Sequence, residues 1–265
     1  MAAKARLDSE LVRRGFARSR QDAQDLVASG RVRVAGLVAG KPATGVDPAA
    51  PIVVAAPDEP HRYASRGAHK LAGALDRLGG LAVAGRRCLD AGASTGGFTD
   101  VLLRRDAREV IAVDVGYGQL AWSLRVDPRV TVMDRCNVRT LEPGVLGGAV
   151  DLTVADLSFI SLTLVLPALT ACTEEGDLLV LVKPQFEVGR EQVGRGGVVR
   201  DPELRAAAVR RVADAAEALG WGTAGVVASS LPGPAGNVEF FLWLRSDAGP
   251  LTTEALADAM AGAPA

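Results

Sequence analysis

The chain has 265 residues, 48% of them hydrophobic, and a formal net charge of −1, so it has enough apolar material for one large domain or two. Its three cysteines are never spaced C-x-x-C, which argues against a disulfide framework and a zinc site and favours a reducing, cytoplasmic compartment. The longest uncharged apolar segment, residues 157–173, contains Pro167 and is too short and too rich in Ser and Thr for a membrane span.

The N-terminal part of the chain is more basic than the rest. Residues 1–41 contain nine basic and four acidic residues, a local net charge of +5. The apolar spacing predicts a first helix that ends at Gly15, and Ser19 is a suitable N-cap for a second helix. A hairpin with its turn at Ala35-Gly36 follows. Such a charge excess is typical of a nucleic-acid-binding module, but on charge alone a solvated helix face is the favoured explanation.

The same segment resembles the S4 RNA-binding domain, a small helix–turn–helix plus hairpin module. The resemblance is carried by the string RLDSELVRRGFARSRQDAQDLVASGRVRVAGLVAGKP. It departs from the family at Ala35, where Asn is usual. The resemblance implies that five residues face RNA backbone, namely Arg6, Arg18, Ser19, Arg20 and Lys41. Basic side chains neutralise phosphates without reading the base sequence.

After a linker at about residues 57–66, strands and helices alternate. Strands are predicted at RRCLDAG, EVIAVDV, RVTVMD, DLTVADLS, DLLVLVK, WGTAGVVAS and VEFFLWLR, and helices at about 68–79, 97–105, 118–125, 161–172 and 202–219. Fully apolar strands indicate a sheet covered on both faces. We therefore predict an α/β fold over residues 64–246, a Rossmann-like seven-stranded sheet with helices on both faces, preceded by a small α+β domain over residues 1–60. The alanine-rich residues 247–265 are expected to form a frayed helix or a disordered tail.

A glycine-rich turn, DAGASTGGF, follows the first of these strands and opens a helix. Gly92 permits a tight turn, and Gly96 and Gly97 are expected to let the backbone approach a ligand. Asp114 ends the next strand, placed like the acid that binds ribose hydroxyls in nucleotide folds, and Asp134 ends the third. The G-x-G-x-x-G pattern of dinucleotide-binding proteins is absent.

The D-x-G-x-S-x-G arrangement resembles motif I of class I S-adenosylmethionine-dependent methyltransferases, with Ser94 where a glycine is commoner. The resemblance implies S-adenosylmethionine as the cofactor, with Asp90 near its ammonium group, Asp114 at its ribose and Asp134 near its adenine. The alternative is a purely structural turn with Asp114 as a solvated strand end.

Four charged residues occupy unusual places in the predicted fold. Lys70 lies near the start of a helix, Asp156 and Lys183 each close an apolar strand, and Glu239 lies in the last strand. Charged groups in apolar segments are costly unless they pair or do chemistry, and ligands bind at the carboxyl ends of strands in open α/β sheets. A salt-bridge network explains any one of the four, whereas all four beside a cofactor turn favour catalysis.

The four residues match the Lys-Asp-Lys-Glu tetrad of the FtsJ-like RNA 2′-O-ribose methyltransferases. The strings SRGAHKL, VADLSFISL, LVKPQFEVG and GNVEFFLWL make the chain similar to the TlyA family, whose members are often named hemolysins and join an S4 domain to an FtsJ-like domain. The resemblance covers nearly the whole chain and implies methylation of cytidine 2′-hydroxyls in 16S rRNA, 23S rRNA or both. Ribosomal subunits are the expected partners, Arg66 is expected to contact phosphate, no metal is expected, and a monomer is the simplest state.

The chemistry explains why these residue types are needed. A ribose 2′-hydroxyl is a poor nucleophile until a base takes its proton. Lys183 is the expected base, because burial and the charge of Lys70 favour its neutral form. Asp156 would hold the lysines, and Glu239 would orient Lys70 or the ribose. Phe186 is expected either to stack on a base near the target or to pack in the core.

Three other functions stay open at this point. A non-catalytic RNA-binding factor in ribosome assembly would keep the fold without the activity. A membrane-lytic toxin would need a spanning or strongly amphipathic segment, and the chain shows neither. A small-molecule methyltransferase would leave the basic N-terminal module unexplained.

Overall fold

The computed structural model describes residues 5–28, 30–54 and 63–263. Its contacts divide the chain into two units, Met1–Arg62 and Tyr63–Ala265. Most of the predicted linker lies outside the described residues.

The first unit is a small α+β module. Its elements are β1 (Ala5–Arg6), α1 (Leu7–Arg13), α2 (Arg20–Ala28), β2 (Val32–Val34), β3 (Leu37–Val38), β4 (Gly45–Val46) and β5 (Ile52–Val54). The Ser19 hydroxyl accepts a hydrogen bond from the Asp22 N–H at 3.1 Å, as an N-cap does. Ala35 and Gly36 have φ values of 49° and 84°, the left-handed geometry of a two-residue hairpin turn. The predicted N-cap and the predicted hairpin are thus confirmed.

The second unit contains one large sheet with helices on both faces. Its elements are α3 (Gly67–Leu78), β6 (Arg87–Ala91), α4 (Gly97–Arg104), β7 (Glu109–Asp114), α5 (Trp122–Arg125), β8 (Val130–Asp134), β9 (Leu152–Ala155), α6 (Leu166–Thr173), β10 (Asp177–Val182), α7 (Pro184–Glu187), α8 (Pro202–Glu217), β11 (Gly222–Ala228), β12 (Phe240–Arg245) and α9 (Thr253–Ala261). The seven strands lie in the order β11-β12-β10-β9-β6-β7-β8. β12 runs antiparallel to β10 and β11, and the other pairs are parallel.

Successive residues of the central strands enter two different cores. In β10, Leu178, Val180 and Val182 pack into one apolar cluster, while Leu179 and Leu181 pack into the other. This alternation shows that both faces of the sheet are covered, which explains why the strands read as continuous apolar runs. The predicted fold class is confirmed.

The strand order reverses at β6, because β7 lies on one side of it and β9 on the other. In open α/β sheets such a reversal leaves a crevice at the carboxyl ends of the strands, and ligands bind there. The turns after β6, β7 and β9 all end at this edge.

The helix predicted over residues 118–125 is shorter than expected, since α5 begins only at Trp122. Gly118 has a φ of 67°, and its N–H donates to Asp134 at the end of β8, at 3.3 Å. The residues before Trp122 are therefore a loop fastened to the sheet, and Trp122 itself is 66% exposed.

The alanine-rich C-terminal segment also differs from the prediction. It forms helix α9, with Thr252 as its N-cap, and α9 contacts β11 and α8. Leu256 and Ala259 are buried in the core of the sheet. The expectation of a frayed helix or a disordered tail was wrong, because apolar residues hidden in the alanine-rich composition meet a complementary surface. Within the described ranges, no helix has the length and apolar character needed to cross a bilayer.

Candidate active site

The glycine-rich turn after β6 approaches the end of β9 closely. Gly92 has a φ of 89°, and a Cβ built on it would lie 2.5 Å from the carbonyl oxygen of Asp156 and 3.0 Å from the Leu157 side chain. Glycine is therefore required here both by its backbone angle and by the space available. The close approach brings the turn beside Asp156, one of the four charged residues.

Asp114 fastens this turn to the end of β7. Its carboxylate accepts a hydrogen bond from the N–H of Ser94 at 2.8 Å and another from the N–H of Gly116 at 2.7 Å. Ser94 has a φ of 47°, and its hydroxyl donates to Gln119 at 3.3 Å. The backbone around Asp114 is thus held in an open, curved shape at the carboxyl edge of the sheet.

A pocket of about 440 Å³ opens at this edge. Its walls include the predicted residues Gly92, Ser94, Asp114 and Asp156, together with Gln119 and Asn137, which sequence reasoning missed. The volume lies within the range of small-molecule and cofactor sites. Gln119 and Asn137 lie in loops, where neither periodicity nor the glycine motif points to a single position.

Asp90, at the end of β6, is fully buried behind the turn. Its Oδ2 accepts a hydrogen bond from the Thr99 hydroxyl at 2.6 Å, whereas its Oδ1 has no hydrogen-bond partner among the described residues. The pKa of Asp90 is raised to about 7. Burial is the largest cause of this rise, the hydrogen bond from Thr99 opposes it, and the negative charge of Asp156 adds to it. A buried carboxyl with one unsatisfied oxygen is the kind of group that a cationic ligand would stabilise.

Four of the predicted cofactor residues do not line the pocket, namely Asp90, Gly96, Gly97 and Asp134. A Cβ on Gly96 would collide with Leu124, and one on Gly97 would collide with Ser65. The two glycines therefore make room for neighbouring protein groups, and their approach to a ligand stays a prediction. Asp134 forms an ion pair with Arg125 at 2.6 Å, and the hydrogen bond from Arg125 lowers the pKa of its carboxyl.

Lys70 and Glu239 form a buried ion pair. The Lys70 ammonium donates to Glu239 at 2.6 Å, and the two side chains are 8% and 1% exposed. Lys70 is supplied by α3, and Glu239 immediately precedes β12. Gly233 leaves space for this carboxylate, because a Cβ there would lie 2.5 Å from Glu239 Oε1. A charge pair this deep is costly to form, and removing one partner would leave the other unpaired.

Lys183 and Asp156 form a second ion pair. The Lys183 nitrogen lies 2.5 Å from Asp156 Oδ1 and donates a hydrogen bond to the Ser158 hydroxyl at 2.9 Å. Asp156 and Ser158 both line the 440 Å³ pocket. The lysine nitrogen is therefore held at the pocket wall by two partners, of which sequence reasoning had identified one.

The strand register brings the two ion pairs to one edge of the sheet. Val182 of β10 pairs with Phe240 of β12, so Lys183 and Glu239, the next residues outward, lie on neighbouring strands at the same level. Paired residues of antiparallel strands lie about 4.5–5.5 Å apart between their Cα atoms. β9, which ends just before Asp156, is the other neighbour of β10. The four charged residues thus meet where the sequence predicts.

Two phenylalanines stand beside the second ion pair. Phe159 is 91% exposed, lines the pocket and has a φ of 66°. Its ring lies 5.3 Å from that of Phe186, centroid to centroid. A bulky residue in the left-handed region is strained, and an aromatic side chain this exposed leaves its face open to another flat group.

Glu187 ties together the two loops that carry these residues. Its buried carboxylate accepts hydrogen bonds from the Ser161 hydroxyl at 2.6 Å and from the Leu162 N–H at 2.7 Å. Burial raises the pKa of Glu187, and the two hydrogen bonds act in the opposite direction. Sequence reasoning missed this residue, because a glutamate at the end of a short helix gives no signal that its partner lies 25 positions earlier.

The predicted RNA-binding residues are distributed over both units. In the first unit, Arg6 and Arg20 meet at the buried Asp8, at 2.8 Å and 3.5 Å, and the hydrogen bond from Arg6 holds the pKa of Asp8 well below its usual range. Arg18 pairs with Asp22 at 3.3 Å. Three further predicted residues complete the set: Ser19 is used as the N-cap, Lys41 is exposed, and Arg66 is exposed at the start of α3 in the second unit.

The sequence and the fold were compared with known proteins. Residues 63–246 match the model of the FtsJ-like methyltransferases, and residues 5–52 match that of the S4 domain. The chain is 62% identical over 247 residues to the 16S/23S rRNA (cytidine-2′-O)-methyltransferase TlyA of Mycobacterium tuberculosis, covering 93% of this chain and 91% of that protein.

Two solved structures are similar over most of their length. A Streptococcus thermophilus protein described as a hemolysin has 37% identity and a TM-score of 0.74, covering 99% of this chain and 98% of that one. One from Lactococcus lactis has 42% identity and a TM-score of 0.72, covering 76% and 98%. Together with the glycine turn and the pocket, these likenesses show that the chain belongs to the TlyA family of FtsJ-like, S-adenosylmethionine-dependent methyltransferases that carry an S4 domain.

Proposed function

We propose that this enzyme transfers a methyl group from S-adenosylmethionine to the ribose 2′-hydroxyl of cytidines in 16S rRNA, 23S rRNA or both. The proposal rests on one observation: two ion pairs, Lys70–Glu239 and Lys183–Asp156, lie at the edge of the 440 Å³ pocket. The Mycobacterium tuberculosis relative is named for this reaction. The enzyme would act as a monomer in the cytoplasm, where ribosomal RNA is found.

The pocket suits the cofactor in two respects. Its walls combine a glycine turn, which a ligand can approach closely, with the carboxylate of Asp114, and carboxylates at this position of nucleotide-binding folds accept hydrogen bonds from ribose hydroxyls. The unpartnered Oδ1 of Asp90 would be stabilised by an ammonium group. S-adenosylmethionine supplies, when bound, a methyl group on a positively charged sulfur. Asp134 remains our candidate for the adenine side.

Lys183 would act as the base. Its nitrogen would accept the proton of the 2′-hydroxyl, which would free the ribose oxygen to take the methyl group that S-adenosylmethionine supplies. Asp156 and Ser158 hold the lysine nitrogen in place, where it would receive this proton. Lys70, fixed by Glu239, would orient the ribose. Positioning supplies much of the rate in such a reaction, and a general base contributes about 10²–10⁴-fold.

The rim of the pocket would hold the target nucleotide out of its helix. Phe159 presents an open aromatic face there, and Phe186 supports it from one side. Unstacked RNA bases commonly rest on aromatic side chains. Stacking against Phe159, with Phe186 as its support, is how we expect the cytidine to be held above Lys183.

The test is methyl transfer from labelled cofactor to unmethylated small and large ribosomal subunits, with mapping of the modified ribose. Lys183→Ala should lower kcat at least about 10²-fold and leave RNA binding within a few-fold. Lys183→Arg is the matched control, because arginine keeps the charge but cannot accept a proton near neutral pH. It should be as inactive as the alanine variant. Turnover by either variant at the wild-type rate would refute the assignment of Lys183 as the base.

A non-catalytic role in ribosome assembly is the second candidate. It is favoured only by the S4 module, which could serve an RNA-binding protein without any activity. Binding of both cofactor and ribosomal subunits without methyl transfer by the unmodified protein would support this alternative.

A further inference from the structure

An exposed hairpin precedes α8 at the same edge of the sheet. Residues 194–200, which we name the arginine hairpin, turn back on themselves through a bridge between Gly194 and Val198. The N–H of Gly194 donates to the carbonyl of Val198 at 3.2 Å, and the N–H of Gly197 donates to the carbonyl of Gly194 at 3.0 Å. Gly196 and Gly197 have φ values of 80° and 77°, so the turn depends on glycine.

The base of the arginine hairpin is fastened by a buried amide. Asn237 is 2% exposed. Its side-chain oxygen accepts a hydrogen bond from the Val199 N–H at 2.9 Å, and its side-chain nitrogen donates to the Gly197 carbonyl at 2.8 Å. Val198 and Val199 are buried as well. The hairpin is therefore held in a defined position and is not a loose surface loop.

The fastening point lies beside the reacting residues. Asn237 is two residues before Glu239, which places their Cα atoms about 7 Å apart in extended chain. Glu239 in turn binds Lys70. A molecule that presents a ribose to the two ion pairs would therefore extend along the arginine hairpin.

Two cations on this hairpin have no counter-charge among the residues that the structure describes. Arg195 and Arg200 are both exposed, and neither forms an ion pair with a described residue. The Arg200 guanidinium instead donates to the backbone carbonyl of Arg195 at 3.4 Å, which keeps the two arginines on one short turn. The nearest carboxylate in sequence, Asp201, accepts a hydrogen bond from the Glu203 N–H at 2.9 Å as the N-cap of α8.

Most other arginines of this unit are already engaged. Eight of them form ion pairs with acidic side chains, namely Arg86, Arg87, Arg104, Arg105, Arg108, Arg125, Arg129 and Arg245. Arg205, Arg210 and Arg211 donate to backbone carbonyls. The arginine hairpin thus concentrates positive charge that the protein does not neutralise itself, and like charges held together are stabilised by binding an anion.

We propose that the arginine hairpin binds backbone phosphates of the RNA strand that carries the target ribose. This inference rests on the proposed function and adds a second RNA-contacting element, within the methyltransferase unit, to the S4 module. Guanidinium groups bind phosphate oxygens well, often through two hydrogen bonds at once. The fixed base would set the distance between the bound phosphates and the pocket, so that the hairpin aligns the strand as well as holding it.

The experiment measures the affinity for unmethylated large and small ribosomal subunits over a series of salt concentrations. Replacing both arginines (Arg195→Ala with Arg200→Ala) should weaken binding at least tenfold at low salt. It should also reduce the slope of log affinity against log salt by about 1.4–1.8, since each phosphate contact contributes about 0.7–0.9. The affinity for S-adenosylmethionine should stay within a few-fold of wild type.

Two further variants separate phosphate binding from other causes. Arg195→Lys with Arg200→Lys keeps the charge and should retain most of the salt slope. Arg129→Ala with Arg245→Ala removes the same charge at the opposite edge of the sheet, where both arginines pair with aspartates, and should leave the slope unchanged. An unaltered slope in the hairpin alanine variant, or an equal fall in the opposite-edge variant, would overturn the inference. Failure of the proposed function would be seen separately, as absence of methyl transfer by the unmodified enzyme.

Discussion

At the scale of single residues, the carboxyl of Asp90 has an uncommon environment. It is completely buried, and one of its oxygens accepts a hydrogen bond from the Thr99 hydroxyl. Its pKa is raised to about 7, chiefly by burial. The folded protein therefore holds a proton that the unfolded chain, with an aspartate pKa near 3.9, would have released. This proton couples the stability of the methyltransferase unit to pH.

The sign of the coupling follows from the raised pKa. The contribution of Asp90 to stability is fully present below about pH 4 and is lost as the pH rises towards 7. At about 1.4 kcal/mol per pKa unit, Asp90 should make the unit about 2–3 kcal/mol less stable at pH 8 than at pH 5. Asp90→Asn should remove this difference, whereas Asp214→Asn, at an exposed position on α8, should keep it.

The measurement is urea unfolding at pH 5 and pH 8, with tryptophan fluorescence as the signal. The three tryptophans, Trp122, Trp221 and Trp243, lie in the second unit, so the signal reports on that unit. An equal pH dependence in wild type and Asp90→Asn would contradict the raised pKa.

At the scale of elements, the loops that follow β9 and β10 act as one structure. Asp156 and Ser158 lie on the first loop, Lys183 lies at the start of the second, and Glu187 joins the two through Ser161. The strained backbone of Phe159 is held between these attachments. Strain of this kind persists only where the surrounding structure determines it.

We expect Glu187→Ala to loosen both loops. The Leu162 N–H and the Ser161 hydroxyl would each lose a partner in a largely buried place, at a cost of about 1–3 kcal/mol of unfolding free energy. The kcat for methyl transfer should fall more than the KM for cofactor rises, because the Lys183–Asp156 geometry depends on these loops. Glu187→Gln, which keeps one acceptor, should lie between the alanine variant and wild type.

Thermal unfolding and single-turnover methyl transfer would measure these effects. Glu217→Ala, at an exposed position near the end of α8, serves as the control for loss of one carboxylate. A Glu187→Ala enzyme with wild-type kcat would show that the attachment is dispensable for catalysis.

At the scale of the whole molecule, we expect the two units to have different functions, RNA binding and methyl transfer. The first unit matches the S4 domain and carries exposed arginines. Two of them, Arg6 and Arg20, form ion pairs with the buried Asp8. The second unit matches the FtsJ-like model and contains the pocket and the two ion pairs. We expect affinity for RNA to depend on both units and methyl transfer on the second.

This division can be tested in the full chain. Arg18→Ala combined with Arg20→Ala should weaken binding to ribosomal subunits and flatten its salt dependence, because both side chains are largely exposed and phosphate contacts are salt-dependent. Cofactor affinity should not change. Filter binding at several salt concentrations, with calorimetry for the cofactor, would decide. A normal salt slope would contradict phosphate contacts at these two arginines.

The sequence alone predicted the features that depend on local patterns. Apolar runs located the strands, glycines located the turn after β6, and charged residues at strand ends located the two ion pairs of the proposed catalytic site. Such signals survive in sequence because backbone geometry and burial limit which residues can occupy these positions. The resemblance to a known family supplied the cofactor and the substrate class, which periodicity does not contain.

Only the tertiary structure decided which groups meet. Lys70 and Glu239 are 169 positions apart, and they pair because α3 packs on the sheet, with Leu71 in the same apolar cluster as Phe241 of β12. Ser158, Glu187 and Asn237 act through partners that no local pattern identifies. Helix α9 is ordered because it finds a surface on β11 and α8. Propensity and periodicity describe neighbours along the chain, whereas the ion pairs, the buried carboxyl and the fastened hairpin arise from contacts between distant segments, which only folding creates.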